Sequence, residues 1–220
     1  MKRVPMIGLV LAGLAYSSTG SAQGIGIGAK VGTLGIGVDI TKSFTSTLNG
    51  RIGINSFTLD ASGTESDIDY DADLNLESAG VFVDWHPFSG GFRATAGALL
   101  NNNELDMTAK SAANYDIGGT TYTPAQIGTF GGNVSFNDIA PYVGIGWGNA
   151  VDEGQRLTFS FDVGVLMQGS PKVDFTASGG TLSSDPTLLA NLKTEEQQLE
   201  DSLNDYDVYP VISLGLAYQF

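Results

Sequence analysis

The chain has 220 residues, 30 of them glycine, no cysteine and a formal net charge of −14. Without cysteine it can form neither a disulfide framework nor a thiolate metal site. So acidic a chain also offers no basic patch for nucleic acid.

Lys2 and Arg3 lead into an apolar run from Val4 to Tyr16, and small residues follow up to Gly20-Ser21-Ala22. This pattern predicts a signal peptide over residues 1–22, cut after Ala22. The run is too short to cross a bilayer as a helix. Residues 23–220 then read as one β domain.

Alternation of apolar and small or polar residues predicts strands near 25–32, 34–41, 48–55, 78–85, 92–101, 139–147, 157–167 and 210–220. One parity of each run is apolar. The other is mostly Gly, Ser, Thr and Asn, with isolated charges of both signs: Lys30, Asp39, Arg51, Asp84, Arg93 and Asp162. A soluble sandwich would turn far more Lys and Glu toward water. Inside a narrow barrel, small residues fit the tight space and opposite charges must pair. These six are therefore the expected lumen charges, and the apolar parity faces lipid.

Trp85, Phe92, Trp147, Phe159, Tyr218 and Phe220 fall near strand ends on the side of the short turns at 87–91 and 150–156. That placement matches an interfacial aromatic girdle. The predicted fold class is all-β: an eight-stranded antiparallel transmembrane barrel with long extracellular loops, closed so that no sheet edge meets lipid.

The loop at 60–77 is acidic, with Asp67, Asp69, Asp71 and Asp73 at period 2. Counted from Asp67, a calcium-binding EF-hand would need Gly at position 72 and Glu at 78. Ala72 and Ser78 stand there, so that motif fails. As a strand extension, the four carboxylates share one face, which by parity continues into lipid-facing Ala79 and Val81, so it points outward above the membrane or a bulge intervenes. The segment reads as a solvated rim or as a cation funnel. In the loop at 111–133, Gly118-Gly119 predicts a small hairpin. The loop at 169–205 holds the one short helix, capped by Asp185 with Pro186 at its first position. Leu188, Leu192, Leu199 and Leu203 line one face, and Glu195, Glu196, Glu200 and Asp201 the other. It reads as a surface helix packed on the barrel mouth.

Chemistry finds little footing. His86 is the single histidine, beside Pro87 in a turn, with no nucleophile–base pattern around it. Gly26-Ile27-Gly28 lacks the third glycine and the helix of a dinucleotide site. No enzyme activity, metal or cofactor is expected.

DWHPF (84–88), FNDIAPYVGIGWG (136–148) and GSPKVDFT (169–176) resemble stretches of the small CarO-type outer-membrane proteins. The resemblance spans about the C-terminal two-thirds of the chain. It implies an eight-stranded barrel in a Gram-negative outer membrane and an uptake channel for ornithine or basic amino acids. A last strand ending in Tyr218 and Phe220 also resembles the signal that the barrel assembly machinery reads. The implied partners are outer-membrane lipid, lipopolysaccharide, that machinery and small cationic solutes, with the protein a monomer. Two functional readings stand: a passive channel for small cationic solutes, or a closed barrel with a structural, adhesive or envelope-stabilising role. An interior of eight strands is just wide enough to be filled by side chains, so residue types alone do not decide between them.

Overall fold

The structure is a computed structural model that describes residues 24–65, 68–152 and 154–220. The expected signal peptide lies outside the described residues, as does Asp67. In chain order the elements are β1 (Ile25–Gly32), β2 (Gly35–Thr45), β3 (Leu48–Glu65), β4 (Ile68–Trp85), β5 (Phe92–Asn101), β6 (Glu104–Ala112), β7 (Tyr115–Ile117) and β8 (Thr120–Tyr122). Then follow α1 (Pro124–Ile127), β9 (Gly128–Ser135), β10 (Ile139–Trp147), β11 (Leu157–Met167), β12 (Lys172–Gly179), α2 (Pro186–Ser202) and β13 (Val208–Gln219).

Eight of these strands close into an antiparallel barrel in the order β1-β2-β3-β4-β5-β10-β11-β13. The closing pair runs from Gly26 opposite Gln219 to Gly32 opposite Ser213. Phe220 N then donates to Ile25 O at 3.1 Å, so the last residue still belongs to the seam. The eight predicted strands are these eight. Their outward parity is apolar and bare: Val81 is 62% exposed, Ile145 56% and Leu214 60%. A belt of that kind around a closed barrel suits the hydrocarbon core of a bilayer.

Beyond the belt, the structure differs from the expectation of long loops. β3 and β4 run on as one hairpin, paired from Leu48–Trp85 up to Glu65–Ile68. β6 continues β5, β9 leads into β10, and β12 continues β11, each across a short kink. Together β3, β4, β6, β9 and β12 form a five-stranded wall that prolongs one side of the barrel. The physical reason for the misreading is plain. Above the lipid belt the outward parity no longer has to be apolar, so Asp, Thr and Lys occupy it. Only the inward parity keeps its apolar residues, among them Leu74, Leu76, Leu105, Val134 and Val173.

Helix α2 and the β7–β8 hairpin pack against the distal part of the wall's inner face. Leu188 and Leu192 are buried with Tyr115, Ile117, Tyr122 and Ile127. Asp185 caps the helix, accepting from Thr187 N at 2.8 Å and Leu188 N at 3.3 Å. Those two bonds hold its carboxyl below the usual carboxylate range. The acidic face is not simply solvated. Glu195 accepts from Gly118 N, Glu196 from Phe175 N and Glu200 from Val173 N, each at 2.9 Å. Glu196 is itself buried and takes Lys193 on its other oxygen at 2.7 Å. The last two glutamates therefore satisfy backbone donors along β12, the edge strand of the wall. An unsatisfied edge would offer those N–H groups to another chain.

Replacing Glu196 and Glu200 together with alanine should strip this cover while leaving the barrel closed. Limited proteolysis is expected to cut within 172–202 faster than in wild type, with heat-modifiable gel migration retained. Unchanged cleavage would show that the carboxylates do not hold the helix to the edge.

Candidate functional site

All six predicted lumen charges point into the barrel, and the structure joins them into one circuit. They stand on β1, β2, β3, β4, β5 and β11, with signs that alternate around the wall. Lys30 donates to Asp39 at 2.8 Å, and Arg51 reaches the other oxygen of Asp39 at 3.3 Å. Arg51 grips Asp84 with two bonds, of 2.8 and 3.0 Å. Arg93 lies 3.9 Å from Asp84 and holds both oxygens of Asp162 at 2.7 and 2.8 Å. Thr95 donates to Asp84 at 2.6 Å, and Arg93 donates to the Gly148 carbonyl. Asp84 is 2% exposed. Charges so far from water persist only when paired and hydrogen-bonded.

Toward the short turns, His86 seals the interior. It is buried within the barrel end, not a surface turn residue as its neighbour Pro87 suggests. Its Nδ1 lies 3.0 Å from Gly90 O and therefore donates there. That leaves Nε2 to accept from Asn49 Nδ2 at 3.2 Å, which also donates to Asn149 at 3.0 Å.

Toward the mouth, an apolar plug fills the lumen. Leu34, Phe82, Leu99, Ala140, Tyr142, Leu166 and Val211 are buried together. Phe82 and Tyr142 meet edge-to-face at 5.5 Å, and the Arg51 guanidinium sits 4.6 Å from the Phe82 ring centre. The many small inward residues suggest spare room, but they serve as sockets. A Cβ at Gly80 or Gly97 would strike Phe82, and one at Gly144 or Gly164 would strike Tyr142. The cavity among the charged groups is about 30 Å³, above the ~10–15 Å³ that admits a water and far below what a solute such as benzene needs, about 150 Å³.

The acidic segment lies elsewhere than a pore mouth. Asp69, Asp71 and Asp73 belong to strand β4 and not to a loop. Their parity continues the outward face, away from the lumen. Strand register sets Asp73 opposite both Asp60 and Asp106, and Asn133 opposite Asp106 and Asp174. Lys110 bonds Asp71 at 2.8 Å, and Asn133 donates to Asp106 at 2.7 Å. The wall thus carries an acidic outer row, of which the sequence stretch shows only a part. Among the described residues no group of three acidic or histidine side chains is placed to hold a metal ion. Trp85, Trp147 and Phe159 are exposed on the outer face at the short-turn end, with Phe92 half-buried against Phe88. Tyr218 and Phe220 face outward there too, ring centres 5.2 Å apart.

The sequence matches no protein-family model and no curated protein. Among solved structures, the fold is similar to that of Acinetobacter baumannii CarO2, with a TM-score of 0.58 and 24% identity over 90% of this chain and 98% of that one. It is also similar to Acinetobacter baumannii CarO, with a TM-score of 0.56 and 21% identity over 90% of this chain and 98% of that one. The chain therefore shares the barrel fold of those proteins.

Within the circuit, position should set the cost of a deletion. Asp84→Ala leaves Arg51 without its two-bond partner and is expected to destabilise by about 3–5 kcal/mol. Lys30→Ala removes an end of the circuit with a more exposed pair, and should cost clearly less. Urea unfolding in detergent measures both. Equal losses, or a loss under about 1 kcal/mol at Asp84 as for exposed pairs, would contradict a dry interior.

Proposed function

We propose that this chain is an outer-membrane protein of a Gram-negative envelope, a relative of the CarO proteins, whose barrel is a closed anchor. It carries the prolonged wall and α2 on the extracellular side. The signal-peptide pattern of residues 1–22, the girdle and the fold likeness support that placement. Tyr218 and Phe220 at the closing strand are the segment offered to the assembly machinery, and the protein acts as a monomer in lipid and lipopolysaccharide.

The observation that carries the closed reading is the continuous filling of the lumen, from His86 through the charge circuit to Phe82 and Tyr142. A basic amino acid could cross only if Arg51, Phe82 and Tyr142 left their partners together. The acidic row does not favour the channel either, because it faces outward and cannot draw cations into the lumen. The anchor reading therefore gives the outer surface of the wall, and not a pore, the role of meeting the surroundings.

Two measurements test this. Liposomes containing the refolded barrel should admit lysine no faster than lipid alone, and bilayer recordings should show no stepwise conductance. Lysine entry or stable single-channel steps would overturn the closed anchor in favour of uptake. Cysteines at Gly119 and Asp185 should label from outside intact cells, whereas one at Asp152 should not; reversed labelling would invert the orientation.

A further inference from the structure

The two edges of the wall are built differently. β12 lies against α2, with its Val173 and Phe175 N–H groups taken by Glu200 and Glu196. β3 has no such cover. β2 leaves it at Ile36 opposite Ser56, where the chain turns at Thr33-Leu34 and tucks Leu34 into the apolar plug. From Phe57 to Glu65 the single neighbour of β3 among the described residues is β4, in unbroken register. Every second residue there turns its N–H and C=O to the open side. Exposed edges are ordinarily blunted by Lys, Pro, a bulge or a covering element. The stretch FTLDASGTE (57–65) has no Lys and no Pro, and its pairing with β4 has no bulge.

The two faces beside this edge define what fits it. On the inner face Phe57 and Leu59 are exposed, and the Tyr70 ring lies over Gly63. On the outer face stands Asp60, also exposed. Asp60 begins a row that crosses the whole wall: it lies opposite Asp73, Asp73 opposite Asp106, Asp106 opposite Asn133, and Asn133 opposite Asp174. Like charges set directly opposite each other are destabilising. Lys110 bonds Asp71, outside this row, and among the described residues Asp60 and Asp73 have no cation. A strand laid beside β3 would send alternate side chains to the two faces. One set would meet Phe57 and Leu59. The other would extend the row past Asp60, where a cation relieves the repulsion and an anion adds to it.

We propose that the β3 flank takes up, as an added strand, an extended segment of a partner protein in which Lys or Arg alternates with apolar residues. The open backbone is the site; the row of carboxylates selects the charge of what enters it. A second copy of this chain does not supply the segment. Two β3 edges pair antiparallel only about a twofold axis across the strands, whereas neighbours in one membrane share an axis along the normal. Self-pairing would also bring no cation, since residues 57–65 contain none. The inference rests on the anchor reading for the role of the wall, but its test is binding to refolded protein and is decided apart from conductance.

The test uses the refolded barrel in a nonionic detergent and the fluorescence anisotropy of a labelled, end-capped peptide, Lys-Val-Lys-Val-Lys-Val-Lys. Saturable binding of one peptide per chain is expected. The same residues in block order, all Lys before all Val, should bind about tenfold more weakly. Methylating the backbone nitrogens of the Val residues blocks one edge of the peptide, and methylating those of the inner Lys residues blocks the other. One of these two peptides should lose binding and the other keep it to within about twofold. Asp60→Lys should weaken binding about tenfold or more, while Asp174→Lys, at the far end of the same row, should change it by less than about twofold. Heat-modifiable migration confirms that each variant is folded. No saturable binding, equal losses from the two lysine variants, or the same response to both methylated peptides would overturn the proposal. A dimer in detergent that Asp60→Lys splits would give the flank to a second copy and overturn the partner named here.

Discussion

A circuit of alternating charge governs the interior of this barrel. Lys30, Asp39, Arg51, Asp84, Arg93 and Asp162 come from six different strands, and each meets the next. The desolvation of six ions is tolerable only because every one has a neighbour of opposite sign. The same circuit fixes strand register. A slip of one residue would turn a charge toward lipid, and a slip of two would move it away from its partner along the barrel axis. The glycines of the inner wall follow from it as well. A Cβ at Gly53 would collide with Asp39, and one at Gly146 with Asp162.

Polarity then changes in steps along the barrel axis. His86 and Asn49 close one end, the ions come next, and Phe82 marks the border by offering its ring to Arg51. Beyond it the interior is apolar through Tyr142, Leu99 and Leu166. The row Asn55–Ser78–Asn101 crosses the wall above that plug, with Asn55 donating to Ser78 at 2.9 Å. An apolar groove beside Leu74 and Leu105 opens only after it. A solute moving inward would meet oil, then amides, then oil again, then salt bridges, which is a poor sequence for conduction and a good one for rigidity. The wall gains a stiff base from this arrangement, because β3 and β4 belong to both barrel and wall.

Period-two alternation made the eight barrel strands legible in the sequence, because lipid demands an apolar residue at every second position. The same rule hid the wall. Where Asp71 and Asp73 replace the apolar outer parity, the strand reads as an acidic loop, although Leu74 and Leu76 keep the inner parity intact. Parity also brought the six ions into the lumen. It could not say which ion meets which, since Arg93 pairs with Asp162 across 69 positions of sequence. Phe82 and Tyr142 were legible only as inward residues. That they fill the space beside Gly97 and Gly164 depends on ring orientation, which no spacing records. The role of Glu196 was not legible for a related reason: a helix face rich in carboxylate shows its task only when a strand edge with free N–H groups is set against it.

That edge has a counterpart. The wall ends on one side at β12, whose donors Glu196 and Glu200 occupy, and on the other at the upper half of β3. β2 pairs with β3 only as far as Ile36 opposite Ser56, and beyond that point, among the described residues, β3 has β4 as its single neighbour. The wall is therefore a sheet with a sealed flank and a bare one, and Phe57 and Leu59, 41% and 50% exposed, stand along the bare flank. Such a sheet has a handedness of growth: a foreign strand finds more open backbone beside β3 than beside β12, where Val173 N and Phe175 N are already taken.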